Sequence, residues 1–125
     1  MKMNYKDTTL LLLRLAIVSI FLYHGIPKLL NIEQTSQFFS SLGLPGIAAP
    51  VVGIIEVGGA LLLLLGLWYK WATYLLVVVI AGAIIMVQIK GGIKAGLERD
   101  LLILISTLVL AAHGPGHFSL HRKRK

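Results

Sequence analysis

The residues with chemistry to offer are few, and they sit in apolar surroundings. Glu56 stands alone inside Gly53-Ile-Ile-Glu-Val-Gly-Gly-Ala-Leu-Leu-Leu-Leu-Leu-Gly66. His24 and Lys28 lie toward the end of an apolar run that also holds Arg14, and Gln88 lies at the end of another. Glu98, Arg99 and Asp100 open a third run, which His113 closes. The carboxyl groups of Glu56 and Asp100 and the imidazole of His24 can take up and release protons, so these three are the candidates for acid–base work. Arg14, Lys28, Gln88, Glu98, Arg99 and His113 supply the donors and acceptors that would hold a ligand. A charge at the centre of a lipid-soluble helix costs about 2.5–3.5 kcal/mol even on the lenient insertion scale. Glu56 must therefore face a partner, a proton or a water-filled cavity.

Composition says what surrounds these groups. Of 125 residues, 57% are hydrophobic and only 14% are charged, with a mean hydropathy of +0.85. Soluble domains carry nearer a quarter charged residues. The excess lies in long runs, which points to a lipid bilayer and to one membrane domain over residues 1–125. The net charge of +7 is no nucleic-acid signature, because no basic stripe is interleaved with aromatics. The densest basic run, Arg122-Lys-Arg-Lys125 in a tail over 117–125, reads as a topology signal or an anionic-lipid contact. The chain has no cysteine, which excludes disulfides, a C-x-x-C pair, cysteine-ligated iron–sulfur clusters and a cysteine nucleophile.

The expected architecture is all-α: a four-transmembrane-helix antiparallel bundle with a short amphipathic interfacial helix between helices 1 and 2. Spans are predicted over about 8–30, 50–68, 71–89 and 97–112, each near the length a bilayer needs. Asp7 or Thr8 suits the first N-cap. A signal peptide over the first run is disfavoured by Arg14 and by the lack of a small-residue cleavage site. Phe38, Phe39 and Leu42 are spaced for a short helix on the membrane surface, ended by Gly43. Trp68 and Trp71 flank Lys70 in a tight turn at headgroup level. Gly114-Pro-Gly116 stops the last span. Lys2, Lys6, Lys70 and the basic tail fall on one side, against Lys28, Lys90 and Lys94 on the other. That places both termini in the cytoplasm of a multi-pass plasma-membrane protein.

Helical spacing sorts the polar groups by face. Arg14, Phe21 and Lys28 share one face, with Gly25 on it and His24 at its edge. Gly53, Glu56 and Gly59 with Ala60 share another, whose small residues admit a close neighbour. Arg99, Ser106 and His113 lie seven apart. By depth, His24, Lys28, Gln88, Glu98, Arg99 and Asp100 form an outer-half patch with Glu56 beneath, while Arg14 and His113 lie toward the cytoplasmic end. Each has a plainer reading. Lys28 and Arg99 can snorkel to headgroups, Glu98 and Asp100 can serve a helix start, and Glu56 can be a structural ion-pair member with Arg14 or a neighbour. His24 and His113 fall at opposite ends, which argues against a bis-histidine haem. His117 and His121 lack an obvious third ligand, so no metal site is expected. Walker, Rossmann, H-E-x-x-H and G-x-S-x-G patterns are absent.

Taken together, Arg14, Phe21-Leu-Tyr-His-Gly-Ile-Pro-Lys28, Gly43-Leu-Pro45, Glu56 through Gly66, Glu98-Arg-Asp-Leu101 and Gly114-Pro-Gly-His-Phe-Ser-Leu120 resemble the DoxX family of small four-helix membrane proteins. The resemblance runs from Arg14 to Leu120. It departs at His121, where the family often has an acid. It implies a link to membrane oxidoreductase systems, including quinol oxidase and thiosulfate:quinone oxidoreductase subunits and complexes that answer oxidative stress.

Three functions fit these residues. The first is a quinone-interacting subunit, with His24, Lys28 and Arg99 donating to the ring carbonyls, Glu56 or Asp100 relaying protons, and electrons arriving from other membrane or redox subunits or from a bound cofactor. The second is a non-enzymatic assembly factor or scaffold, in which the charges pair structurally. The third is a small-amphiphile binder or transporter, for which so narrow a bundle would need a homodimer. A lipid-open pocket reaching Glu56 distinguishes the first from a packed, fully paired interior.

Overall fold

The computed structural model describes residues 5–90, 92 and 96–114. The described residues are all helical or in short connections, with no strand among them. The basic tail, His117, His121, Pro115, Gly116, Lys2 and Lys94 lie outside the described residues.

Helix α1 runs Tyr5–Leu30 over 26 residues, about 39 Å at 1.5 Å per residue. It is therefore longer than the roughly 30 Å hydrocarbon core. It is already helical at Tyr5, ahead of the cap expected at Asp7 or Thr8, and Asp7 lies instead in the first turn, where the helix dipole favours an acid. At Asn31 the chain bends without losing its hydrogen-bond ladder: Asn31 N–H donates to the Pro27 carbonyl at 2.8 Å and Thr35 N–H to the Asn31 carbonyl at 3.0 Å. Helix α2, Ile32–Ser41, follows with no fully buried residue, as a surface helix should. It ends in a Schellman motif on Gly43 (φ +85°), with Leu44 N–H reaching the Phe39 carbonyl.

Helix α3 spans Ala48–Leu65, two residues earlier than its expected start and three short of its expected end. Pro50 sits in the first turn, where its missing N–H costs nothing. The end is set by Gly66 (φ +72°) in a second Schellman motif, closed by Leu67 N–H to the Leu62 carbonyl at 3.0 Å. Trp68 then takes φ +45°, so the hairpin needs a left-handed non-glycine residue. Trp68 and Trp71 are both exposed, as a membrane-interface turn requires. Helix α4, Tyr69–Ala83, continues as a π-helix over Ile84–Lys90. The expected third span of 71–89 thus falls within a longer helix whose last seven residues are wound wider. Helix α5 runs Leu97–His113.

Among the described residues three helices are long and apolar enough to cross a membrane: Tyr5–Leu30, Ala48–Leu65 and Tyr69–Lys90. Helix α5 is shorter, at 17 residues, and begins on Glu98, Arg99 and Asp100. Helix α1 packs on α3 and α5, and α4 packs on α3 and α5. The core they enclose includes Ile17, Phe21, Ala60, Leu63, Leu76, Ile103 and Leu110. The buried face of α5 is Asp100, Ile103, Thr107 and Leu110. The Arg99–Ser106–His113 row is not the buried one: Arg99 and His113 are exposed and Ser106 is half-buried. The buried hydroxyl of Thr107 donates to the Ile103 carbonyl at 2.7 Å, which removes the cost of burying it.

Two glycines set the α1–α3 contact. A Cβ on Gly25 would lie 2.9 Å from Glu56 Cβ, and one on Gly53 would lie 3.1 Å from Lys28 Cβ. Each glycine therefore seats the charged residue that stands three positions beyond the other. The pairing of 25 with 56 and 28 with 53 means that α1 and α3 run in opposite directions here.

Candidate functional site

The reciprocal glycines bring Lys28 and Glu56 face to face. Lys28 Nζ lies 2.8 Å from Glu56 Oε1 and also donates to the His24 carbonyl at 3.0 Å. Glu56 is 4% exposed, and its Oε1 receives no well-aligned hydrogen bond among the described residues. The contact is an ion pair more than a directed bond. Lys28 is thus the partner of Glu56 and does not simply snorkel to the headgroups.

A second polar pair comes from the far side. The π-helix carries Gln88 inward, and its Nε2 donates to Asp100 Oδ2 at 2.8 Å. Arg99 Nε donates to the other oxygen, Oδ1, at 3.3 Å. Gln88 and Asp100 are each 4% exposed. The Arg99 side chain is 56% exposed, so its pair with Asp100 adds little stability, about 0–1 kcal/mol. Gly96 makes room for both groups: a Cβ there would stand 2.5 Å from an Arg99 guanidinium nitrogen and 3.1 Å from Gln88 Nε2. Gly96→Ala is expected to leave the fold intact, because the mobile Arg99 end can move away. It should raise the phenylglyoxal labelling rate of Arg99 by no more than about twofold, since the Arg99 side chain is already 56% exposed.

Both pairs line one cavity of about 460 Å³, within the size range of small-molecule sites. His24, Lys28, Glu56, Gln88, Arg99 and Asp100 form its polar part, and its remaining walls are almost wholly apolar. His24 is half-buried, with its ring edge-on to Tyr23 at 5.5 Å. Of the sequence candidates, these six are brought together. Glu98 is exposed and off the cavity wall. Arg14 is buried in the α1 core away from the cavity, and His113 is exposed at the opposite end of α5. Among the described residues no group of three or more His, Cys, Asp and Glu side chains is placed to hold a metal.

The walls of the cavity are not legible in residue types and spacing alone. Phe38 and Phe39 of α2 line the cavity. Met86 and Val87 line it from the π-helix, and Gly82, whose Cβ would meet nothing within 4 Å, leaves its stretch of wall open. The double phenylalanine was the available signal for α2. No residue pattern announces a π-helix.

Comparison with known proteins places this architecture. The family model described as DoxX matches residues 9–89. The chain belongs to the DoxX family. It is 37% identical over 110 residues to "Putative oxidoreductase CatD" of Bacillus subtilis (strain 168), covering 88% of this chain and 82% of that one. It is 30% identical over 128 residues to the inner membrane protein YphA of Escherichia coli (strain K12), covering 94% and 91%. A second E. coli K12 inner membrane protein, YqjF, is 27% identical over 124 residues, covering 94% and 92%. No solved structure matches the chain. Like these DoxX relatives, it is a membrane protein.

Proposed function

We propose that this DoxX protein is a quinone-interacting subunit of a membrane oxidoreductase. In this reading the shorter α5 is a fourth crossing, the four helices α1, α3, α4 and α5 form an antiparallel bundle in the plasma membrane, and both termini face the cytoplasm. The observation that carries it is the cavity, apolar along its walls and lined at its polar part by the buried Glu56, Gln88 and Asp100 and the half-buried Lys28 ammonium. Apolar walls suit a ring and an isoprenoid tail. Lys28, His24 and Arg99 supply donors for a ring carbonyl, and Glu56 and Asp100 are carboxyl groups through which protons can pass in a low-dielectric site. The name carried by CatD supports an oxidoreductase setting. The chain has no thiol to relay electrons, so they reach the site from a partner subunit or a bound cofactor.

The Lys28–Glu56 pair also favours a second reading, a scaffold in which the two charges only neutralise each other. Mass spectrometry of the protein purified in mild detergent separates the two. A quinone retained near one per chain is the expected result. Retention of ordinary phospholipid alone, unchanged when Glu56 or Gln88 is replaced, is the scaffold's result.

A further inference from the structure

Resting on the quinone reading, we infer that the cavity selects the hydroquinone over the quinone, with Gln88 Oε1 accepting a ring hydroxyl. The amide of Gln88 is oriented by its neighbours. Asp100 accepts from Arg99 at Oδ1 and from Gln88 at Oδ2. A carboxylate has only acceptors to offer, so the amide nitrogen must turn toward it. The amide oxygen is then directed elsewhere, and among the described residues nothing donates to it. Gln88 is 4% exposed and lines the cavity. A buried acceptor left unmet is costly, and a ligand that donates to it recovers that cost.

The two redox forms of the ring differ in this respect. A quinone carries two carbonyl acceptors and no donor, so it sets an acceptor against Gln88 Oε1. A hydroquinone carries two O–H groups that both donate and accept. The buried Gln88 acceptor on the cavity wall therefore favours a head that donates.

The test uses the full chain in nanodiscs and three probes sharing one short alkyl tail: a para-hydroquinone kept reduced, the matching quinone, and the dimethyl ether of the hydroquinone. The hydroquinone is expected to bind about tenfold more tightly than either of the others, as one buried hydrogen bond requires. Gln88→Met should bring the hydroquinone and quinone affinities together. Equal wild-type affinities for hydroquinone and quinone, or a preference that survives Gln88→Met, would overturn this inference and leave the quinone reading standing. Failure of all three rings to bind removes both. The wild-type comparison needs no variant, so it decides the matter even if Gln88→Met does not accumulate.

Discussion

Glu56→Gln should lower quinone-dependent turnover of the assembled complex at least a hundredfold, the lower end of what a positioned proton-transfer group contributes (about 10²–10⁴). Glutamine keeps the shape and can still accept from Lys28 Nζ, which lies 2.8 Å from Glu56 Oε1. It cannot carry a proton. The protein should therefore insert and accumulate, because the ammonium keeps an acceptor and its contact with the His24 carbonyl. Turnover at the wild-type level would eliminate proton transfer at Glu56.

A purely structural pair makes a different prediction, and a paired replacement exposes it. Removing one member of a buried ion pair costs about 3–5 kcal/mol, whereas replacing both with apolar residues of similar volume is often neutral or better. Lys28 is 21% exposed, so water lowers the single-variant cost toward the smaller figure or below. Lys28→Met alone should destabilise the protein, and Lys28→Met with Glu56→Met should restore its thermal midpoint in detergent. If the pair serves only packing, turnover returns with stability. If Glu56 moves protons, stability returns and turnover does not.

The sequence allowed this site to be outlined because hydropathy leaves so few polar residues to place. Glu56 was bound to face inward, and the Gly53–Glu56–Gly59 face is buried. Lys28 as its partner was not legible. Which of several cations meets an acid depends on how far two helices are rotated and slid against each other, and glycines at 25 and 53 decide that through clearances of about 3 Å. Heptad spacing on α5 marked a row at Arg99, Ser106 and His113 without saying which row faces in. The adjacent Asp100–Ile103–Thr107–Leu110 row won because it brings branched apolar side chains to the core. The π-helix at Ile84–Lys90 was invisible for a related reason. Widening a helix by one residue per turn is a tertiary adjustment, and here it coincides with burial of Gln88 against Asp100.

Gly25 should prove the least replaceable of the helical glycines among the described residues. A Cβ at this position would stand 2.9 Å from Glu56 Cβ, 3.0 Å from Val57 Cγ2 and 3.3 Å from the Val57 backbone nitrogen. Neither Glu56 Cβ nor the backbone nitrogen is the loose end of a side chain, so neither can step aside. Helix α1 would have to lift from α3, and the ion pair three residues on would lengthen with it. Overpacking of this kind costs about 1–3 kcal/mol for a small addition, so Gly25→Ala should lower the thermal midpoint by several degrees, and Gly25→Val, with two further methyl groups, should fail to accumulate. Gly58 lies on the same helix as Glu56, and a Cβ there meets nothing within 4 Å. Gly58→Ala should therefore be neutral or slightly stabilising, since alanine is the better helix former. Adding Val57→Ala to Gly25→Ala removes the 3.0 Å contact and leaves the other two, so it should recover part of the loss and not all of it. Equal stability of the Gly25→Ala and Gly58→Ala proteins would show that α1 does not approach α3 this closely, and the Lys28–Glu56 geometry would go with it.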